Sequence, residues 1–273
     1  MSGADEGYIP GSAATPAAEA PPPAGARRHY GRLILAALLL AGLLFVLLTW
    51  LTLPDVAGLQ TAAPTTTAMM EYREARAREA GVKLRRSYIW VPGRRISGFL
   101  REAVLISEDD KFFQHQGFDW EEMRQAMEKN REKGKVVRGG STITQQLAKN
   151  LYLNPSRTPW RKVKEALIAR RMEAQLSKWR ILELYLNVIE WGDGVYGAEA
   201  AARTWFHKPA AELTPAESIR LASVIINPHR YSPLNNTNKR MRNKRLLLAE
   251  RMFKRNLFDA AVYQELQLEF TTP

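Results

Sequence analysis

The apolar positions divide the chain into an N-terminal apolar segment and a longer part with helical periodicity. Residues 33–53 form a continuous run of apolar and small side chains without a charge. As a helix this run is about 30 Å long, which matches the hydrocarbon thickness of a bilayer. In residues 161–176 and 179–188, apolar side chains recur at intervals of three and four, the period of an amphipathic helix. The pattern predicts one transmembrane helix followed by a mainly helical domain.

Local signals for helix starts agree with this prediction. Asp119 with Glu122 and Thr214 with Glu217 have the spacing of a capping box. Alternation typical of a strand is scarce and is clearest over residues 87–91. We find no internal repeat, so the predicted fold class is mainly α.

Three arginines, Arg27, Arg28 and Arg32, stand immediately before the apolar run. Positive residues beside a spanning helix stay on the cytoplasmic side, which predicts a cytoplasmic N-terminus and an extracytoplasmic domain. A cleaved signal peptide is the alternative. The run is longer than an ordinary signal core, and no clear small-residue cleavage site ends it. We therefore expect an uncleaved, single-pass anchor.

Composition divides the chain into four predicted regions. Residues 1–32 begin with a stretch rich in Ala, Pro, Gly and Ser, which is expected to be a disordered cytoplasmic tail because it can bury little apolar surface. The transmembrane helix covers residues 33–53. A short linker over residues 54–68 contains prolines and threonines, and it leads to a folded domain over residues 69–273.

The charge of the chain narrows the class of its partners. Forty Lys and Arg residues against 28 Asp and Glu residues give a formal net charge of +12, which favours nucleic acid, anionic lipid or phosphate as a ligand. The membrane anchor argues against nucleic acid. The absence of cysteine excludes disulfides and thiolate chemistry.

An acidic cluster ends the apolar segment of residues 100–106. Glu108, Asp109 and Asp110 are adjacent, and their mutual repulsion would favour proton uptake by one of them, as a general base requires. The alternative is a solvated acidic helix end, which the segment alone does not exclude.

A glycine turn at residues 138–140 runs into a predicted helix start rich in hydroxyl and amide side chains. The free N–H groups of such a start attract phosphate, and Lys149 extends the basic path two turns later. Simple helix capping by Ser141 or Thr142 is the alternative.

Cations surround a single acid between Arg157 and Glu165. Arg161 and Glu165 are four residues apart, a spacing that also fits an ordinary surface ion pair on a helix. Taken singly, none of these three segments decides a function.

Together, in this order and spacing, the segments resemble glycosyltransferase family 51, the peptidoglycan glycosyltransferases. The matching motifs are Glu-Asp-x-x-Phe-x-x-His-x-Gly from Glu108, Gly-Gly-Ser-Thr-Ile-Thr-Gln-Gln-Leu-x-Lys-Asn from Gly139, and Arg-Lys-x-x-Glu from Arg161. Ile-Leu-Glu-x-Tyr-Leu-Asn from Ile181 and a glycine-rich stretch from Gly192 follow. The resemblance covers roughly residues 85–235.

The resemblance implies a lysozyme-like helical domain with a smaller membrane-associated lobe, preceded by the one transmembrane helix. It implies an enzyme of the bacterial cytoplasmic (inner) membrane that polymerises lipid II, with inversion at the anomeric carbon. The growing glycan strand is the donor through its polyprenyl pyrophosphate, and the 4-hydroxyl of the incoming N-acetylglucosamine attacks it. The implied partners are lipid II, the growing strand, membrane lipid and other cell-wall synthesis proteins, with no nucleic acid.

The resemblance also assigns expected roles to individual residues. Glu108 is the expected general base, and Glu165 is the second carboxylate beside the reacting carbon. Cations are expected to replace the general acid of a glycosidase, because pyrophosphate is already a good leaving group. The expected substrate-binding residues are Lys149, Arg157, Lys162, Gln146, Ser141, Thr142, Arg161, Phe112 and His115, the last three being open between substrate contact and structural support. No resident metal is required, because no ligand spacing demands one, although Mg²⁺ or Mn²⁺ stays open.

Two further features carry alternatives. Trp120, Met123 and Met127 recur at helical spacing, which favours a core stripe, whereas the family's membrane lobe favours insertion at the bilayer interface. The loop over residues 133–138 is expected to be mobile over the cleft.

Two rival functions are a lysozyme-like enzyme that cleaves glycan and a non-catalytic scaffold for wall synthesis. Neither Ser-x-x-Lys nor Lys-Thr-Gly occurs, so the chain resembles the monofunctional branch of the family.

Overall fold

The computed structural model describes the backbone of residues 24–134, 139–156 and 158–272, and the side chains of these residues from residue 29 onward. The described residues divide into two compact units, one that ends at Leu51 and one that begins at Thr52. The first unit contains helix α1, Ala24–Leu51, of which His29–Leu51 is long and apolar enough to cross a membrane.

Helix α1 confirms the predicted apolar helix but moves its start. Residues 24–32 were expected to belong to a disordered tail, yet they are helical. Among them, Arg27, Arg28 and Arg32 mark the edge of the apolar run but do not end the helix, since arginine is a good helix former. The remainder of the predicted tail lies outside the described residues.

The second unit is mainly helical, as predicted. Its described helices are α2 Ala68–Glu79, α3 Gly98–Glu108, α4 Trp120–Glu132, α5 Ile143–Tyr152, α6 Pro159–Gln175, α7 Lys178–Val188, α8 Ala198–Phe206, α9 Pro215–Val224, α10 Lys239–Lys254 and α11 Ala260–Thr271. The described strands are β1 Ser87–Tyr88, β2 Glu190–Gly192 and β3 Val195–Tyr196. The strand predicted over residues 87–91 is therefore shorter than expected.

The strands form one small sheet in the order β1-β3-β2, with β1 parallel and β2 antiparallel to β3. Gly197 ends β3 with φ +83°, and a Cβ there would lie 2.6 Å from the Asn187 carbonyl oxygen. Only glycine fits this position, because an L side chain would meet both strain and a backbone clash. After this tight turn, α8 packs against α7.

Helix α5 lies at the centre of the hydrophobic core. Its apolar face, which includes Ile143 and Leu147, is fully buried, and α5 packs against both α6 and α7. Its start is set by a capping box, in which Thr142 Oγ1 accepts from the Gln145 N–H and the Gln145 side chain accepts from the Thr142 N–H. The same device starts α9 at Thr214, as predicted.

The region predicted as a linker is partly integrated into the second unit. Residues 57–60 form a short 3₁₀ helix, and Val56 is fully buried in the core. Arg180 donates through Nε to the Leu59 carbonyl oxygen at 2.7 Å. These contacts attach the segment to the folded domain rather than leaving it as a free spacer.

Candidate active site

Glu108 lies at the last position of α3, with its side chain 14% exposed. Helix α3 buries Leu100, Val104 and Leu105, so the apolar face of the helix fixes where this carboxylate emerges. Its Oε1 accepts from Ser107 Oγ at 2.9 Å and its Oε2 accepts from Gln146 Nε2 at 3.2 Å. Two donors therefore hold the carboxylate in one orientation, with lone pairs left for a substrate proton.

Gln146 is itself held by Tyr185. The Tyr185 hydroxyl donates to Gln146 Oε1 at 2.9 Å, which leaves the amide nitrogen to face Glu108. Tyr185 is completely buried. Burial, with the nearby Glu108 and Asp109 carboxylates, raises its pKa well above the ordinary tyrosine value, so its hydroxyl keeps the proton it donates.

Glu165 lies on α6 with only 3% of its side chain exposed, and it is paired with two cations. Arg161 Nη1 lies 2.6 Å from Glu165 Oε2, and Lys162 Nζ contacts Glu165 Oε1. Lys162 Nζ also donates to Ser141 Oγ at 3.0 Å. Ser141, just before α5, is thus joined through Lys162 to the Glu165 ion pairs on α6.

Lys149 connects this group to Glu108. Burial lowers the pKa of Lys149, the Glu165 and Glu108 carboxylates oppose that effect, and Arg161 and Lys162 add to it. Because salt screens exposed charges beyond about 10 Å, these influences indicate that Lys149 lies in the neighbourhood of both carboxylates. The expected carboxylates and three of the four expected cations are therefore brought together.

The remaining expected cation, Arg157, lies outside the described residues, as do residues 135–138 of the loop that was expected to be mobile.

Thr142, Phe112 and His115 are engaged by neighbouring protein groups. Thr142 is 3% exposed and Phe112 is 1% exposed. Besides its capping bonds, the Thr142 hydroxyl donates to the Gly117 carbonyl oxygen at 2.7 Å, and the Lys178 ammonium covers the Phe112 ring at 4.3 Å. His115 is also engaged on both ring nitrogens. Protein groups therefore hold all three side chains.

Asp109 joins His115 to the start of α5. The His115 Nδ1 accepts from the Gly117 N–H at 3.1 Å, which assigns the ring proton to Nε2, 2.9 Å from Asp109 Oδ1. Asp109 Oδ2 accepts from the Ile143 N–H at 2.9 Å. The second acid of the sequence cluster is therefore a structural clamp that holds α5 beside the end of α3.

One charged residue of the site escaped the sequence analysis. Lys244 on α10 places its Nζ 3.7 Å from Glu108 Oε1, with 21% of its side chain exposed. It is separated from Glu108 by more than a hundred residues and lies outside the motif region. No local pattern signals such a pairing.

The apolar stripe of α4 differs from the favoured core interpretation. Trp120 is 70% exposed and Met127 is 64% exposed, whereas Met123 is half-buried. Phe118 stacks on Trp120 with ring centroids 5.2 Å apart. The core interpretation is wrong for Trp120 and Met127, which form an exposed apolar surface instead.

The chain is similar to known proteins over most of its folded domain. A family model described as Transglycosylase matches residues 75–253. A protein named biosynthetic peptidoglycan transglycosylase from Laribacter hongkongensis is 50% identical over 184 residues, which are 67% of this chain and 81% of that protein. Proteins of the same name from Aromatoleum aromaticum and Azoarcus sp. are 55% identical over 170 residues (62% and 73%) and 48% identical over 204 residues (75% and 87%).

Proposed function

The chain belongs to the transglycosylase family, and we propose that its cleft couples lipid II to the growing glycan strand with Glu108 as the general base. Peptidoglycan transglycosylation in cell wall synthesis is the function of this family and of this chain. The proposal concerns how the named residues perform it. The observation that carries it is that the start of α5 contacts both carboxylate groups: Gln146 Nε2 donates to Glu108 Oε2 at 3.2 Å, and Ser141 Oγ accepts at 3.0 Å from Lys162, which pairs with Glu165. A base and a cationic group therefore share one cleft.

In the proposed step, Glu108 takes the proton of the 4-hydroxyl of the incoming N-acetylglucosamine. The hydroxyl oxygen forms a bond to the anomeric carbon of the strand's terminal N-acetylmuramic acid. The bond from that carbon to the phosphate oxygen breaks, and its electron pair leaves with the pyrophosphate. Attack and departure on opposite faces of the carbon give inversion. The hydrogen bonds from Ser107 and Gln146 support this role, because they orient an ionised carboxylate.

The leaving pyrophosphate is stabilised by Lys149, Lys162 and Arg161. Lys162 has 45% of its side chain exposed, so its ammonium can contact phosphate while it remains beside Ser141. Arginine and lysine charges placed where negative charge develops replace the proton that an alkoxide leaving group would need. Arg157, which precedes Arg161 and Lys162 in the sequence, remains a predicted fourth cation.

Glu165 sets the position of these cations. It accepts from both Arg161 and Lys162 while it is buried, and buried carboxylates persist where they are paired in this way. We assign it the additional role of favouring positive charge at the anomeric carbon during transfer. The roles of Ser141 and Gln146 follow from their hydrogen bonds to Lys162 and Glu108.

No resident metal is required by this scheme, since each carboxylate of the cleft already has a cationic neighbour: Lys244 for Glu108, and Arg161 with Lys162 for Glu165. Among the described residues, the group of ligand-type side chains that could hold an ion is Glu190, Asp193 and His229. Arg73 already contacts that group, with Nη2 2.6 Å from Asp193 Oδ1. A Mg²⁺ or Mn²⁺ ion would enter the cleft with the substrate pyrophosphate.

The location follows from the chemistry and from helix α1. Peptidoglycan synthesis is extracytoplasmic, and the single apolar helix indicates membrane anchoring. We propose the inner membrane, a cytoplasmic N-terminus and an extracytoplasmic catalytic domain, because arginines precede the apolar run. The exposed Trp120 and Met127 are suited to contact with a bilayer surface.

The direct test is polymerisation of labelled lipid II by the detergent-purified full-length protein. We expect polymer from the wild type and a loss of at least about a hundredfold in rate for Glu108→Gln, since general-base catalysis contributes about 10²–10⁴-fold. Lys149→Ala should lose a comparable factor. The matched controls are Glu250→Gln and Lys254→Ala, an exposed pair on α10.

Near wild-type rates for Glu108→Gln or Lys149→Ala, in protein that melts normally, would refute the assigned roles. Shortening of existing strands by the wild type, without polymer formation, would favour the rival glycan-cleaving enzyme instead.

A further inference from the structure

Lys244 approaches the proposed base from a different helix than the other cations. Its Nζ lies 3.7 Å from Glu108 Oε1, and its helix, α10, packs against α3 and α9. Lys149, by contrast, belongs to α5, and its other charged neighbours are on α6. Glu108 is therefore in ionic contact with Lys244 and under the weaker influence of Lys149, and the two lysines belong to separate groups of charges.

The position of Lys244 is fixed by its neighbours along α10. Arg245 is fully buried, and its guanidinium donates to Ser223 Oγ at 3.2 Å and to the Ser232 carbonyl oxygen at 3.1 Å. One and a half turns later, Arg251 Nη1 donates to the Ile106 carbonyl oxygen on α3 at 3.4 Å. Helix α10 is thus attached at both ends of this stretch, so the backbone beneath Lys244 is held firmly against α3.

Burial also bears on the Lys244 ammonium. It lowers the pKa of Lys244, and the Glu108 carboxylate opposes that effect. Burying a charged amine without a function would cost stability, and an ammonium carries three N–H donors. At 3.7 Å, Glu108 is an ionic neighbour rather than a close hydrogen-bond acceptor, so these donors are well placed to serve an incoming ligand.

The stereochemistry of the reaction tells the two groups of cations apart. Inversion requires the attacking oxygen and the leaving pyrophosphate to lie on opposite faces of the anomeric carbon. The base lies on the attacking side, because it must reach the acceptor hydroxyl within hydrogen-bond distance. A cation in ionic contact with the base is therefore on the acceptor side, at a sugar rather than at a pyrophosphate.

We infer that Lys244 is an acceptor-recognition residue, whose ammonium donates a hydrogen bond to an oxygen of the incoming N-acetylglucosamine while it stays paired with Glu108. The inference rests on the proposed function, because it takes Glu108 as the base. The sugar's ring hydroxyls and its acetamido carbonyl are suitable acceptors. Lys244 would then select and place the acceptor, while Lys149 and its neighbours serve the donor.

The test separates the two substrates in single couplings catalysed by the detergent-solubilised full-length protein. The donor is a lipid-linked tetrasaccharide whose own terminal 4-hydroxyl is blocked, so it can only donate, and the acceptor is lipid II. Each substrate is varied at a saturating level of the other, and the hexasaccharide product is counted apart from lipid II self-coupling. The variants are Lys244→Met, Lys244→Arg and Lys254→Met, the last being a matched exposed lysine on the same helix.

We expect Lys244→Met to raise the KM for the acceptor about tenfold, which is the loss of one charge-assisted hydrogen bond, with the donor KM unchanged. Lys244→Arg should restore most of the acceptor affinity, and Lys254→Met should match the wild type. An unchanged acceptor KM for Lys244→Met, or an equal rise in both KM values, overturns the inference. If the methionine variant melts early, Lys244→Gln replaces it under the same criteria. Normal coupling by Glu108→Gln would instead overturn the proposed role of Glu108 as the general base.

Discussion

Tyr185 provides the sharpest test of how the cleft orients its base. The Tyr185 hydroxyl is buried and donates to Gln146 Oε1 at 2.9 Å, and Gln146 Nε2 donates to Glu108 Oε2 at 3.2 Å. Tyr185→Phe removes only the oxygen atom and leaves the ring in the core. The amide of Gln146 is then free to rotate and to present its oxygen to the Glu108 carboxylate, which would repel it.

The expected effects on stability and on rate differ in size. A buried hydrogen bond contributes about 0.5–1.5 kcal/mol net, and the half-buried Gln146 can recover a water molecule, so we expect about 1 kcal/mol of destabilisation. The rate effect comes from misorientation of the base. A loss of about 1.4 kcal/mol in the transition state corresponds to a tenfold fall in kcat, with the KM for lipid II nearly unchanged.

The assay pairs thermal unfolding with lipid II polymerisation. Tyr152→Phe is the control, because the Tyr152 hydroxyl donates to the Asp55 carbonyl oxygen at 3.3 Å at an exposed position. In a Gln146→Ala background, Tyr185→Phe should cause little further loss of rate, since the two residues act in series. A Tyr185→Phe protein that keeps more than half of the wild-type kcat, or fully additive losses in the double variant, would refute this account of the base.

Three further predictions concern the frame and the cations of the site. Asp109→Asn should destabilise the fold by about 2–3 kcal/mol, because an amide has only one oxygen and cannot accept at both of its terminal atoms. The exposed Asp110→Asn should change the free energy of unfolding by less than about 0.5 kcal/mol. Equal denaturant midpoints for the two variants would contradict this prediction. Gly197→Ala should cost more than about 2 kcal/mol through strain and clash, whereas Gly58→Ala, where a Cβ meets open space, should be tolerated in the same titration. Burial lowers the pKa of Lys149, so its charge is lost at a lower pH than that of an ordinary lysine, and the rate of polymerisation should fall as the pH rises. Lys149→Arg should move this alkaline fall in rate to higher pH. An alkaline fall at the same pH in both proteins would count against a charged Lys149.

Much of the helical framework could be predicted from local signals. The apolar run of α1, the helical period in α6 and α7, and the capping box at Thr214 each depend on residues within a few positions of one another. The start of α1 was set too late, because arginines mark the edge of a hydrophobic run without ending a helix. Helix propensity and membrane depth are separate properties.

The site was less predictable, because motif residues are shared between substrate contact and structural support. Glu108, Asp109 and Asp110 form one acidic cluster in the sequence, and only the structure separates the carboxylate of the cleft from the clamp at Asp109. Thr142 and Phe112 belong to the same motifs but are buried. Which face of a short segment points into a cleft depends on its neighbours in space, and this information is absent from local spacing.

Lys244 and Tyr185 show the same limit at longer range. Tyr185 stood within a recognised motif, but its role depends on Gln146, 39 residues away. Lys244 reaches Glu108 from α10, beyond the region of resemblance. Pairings of this kind arise from the packing of α3 against α10 and of α5 against α7, and no periodicity in a single chain encodes them.

The electrostatics of the cleft also explain why Glu165 is buried among cations instead of facing solvent. Burial alone would favour the neutral form of Lys149, and the nearby Arg161 and Lys162 reinforce that tendency. Among the opposing influences on Lys149, Glu165 is the largest. A fixed anion within this cation cluster therefore favours the charged form of Lys149, and the pyrophosphate of the substrate would add further negative charge beside it. In the proposed mechanism Glu165 favours the protonated form of Lys149, so the alkaline limb of the rate profile should depend on Glu165 as well as on Lys149.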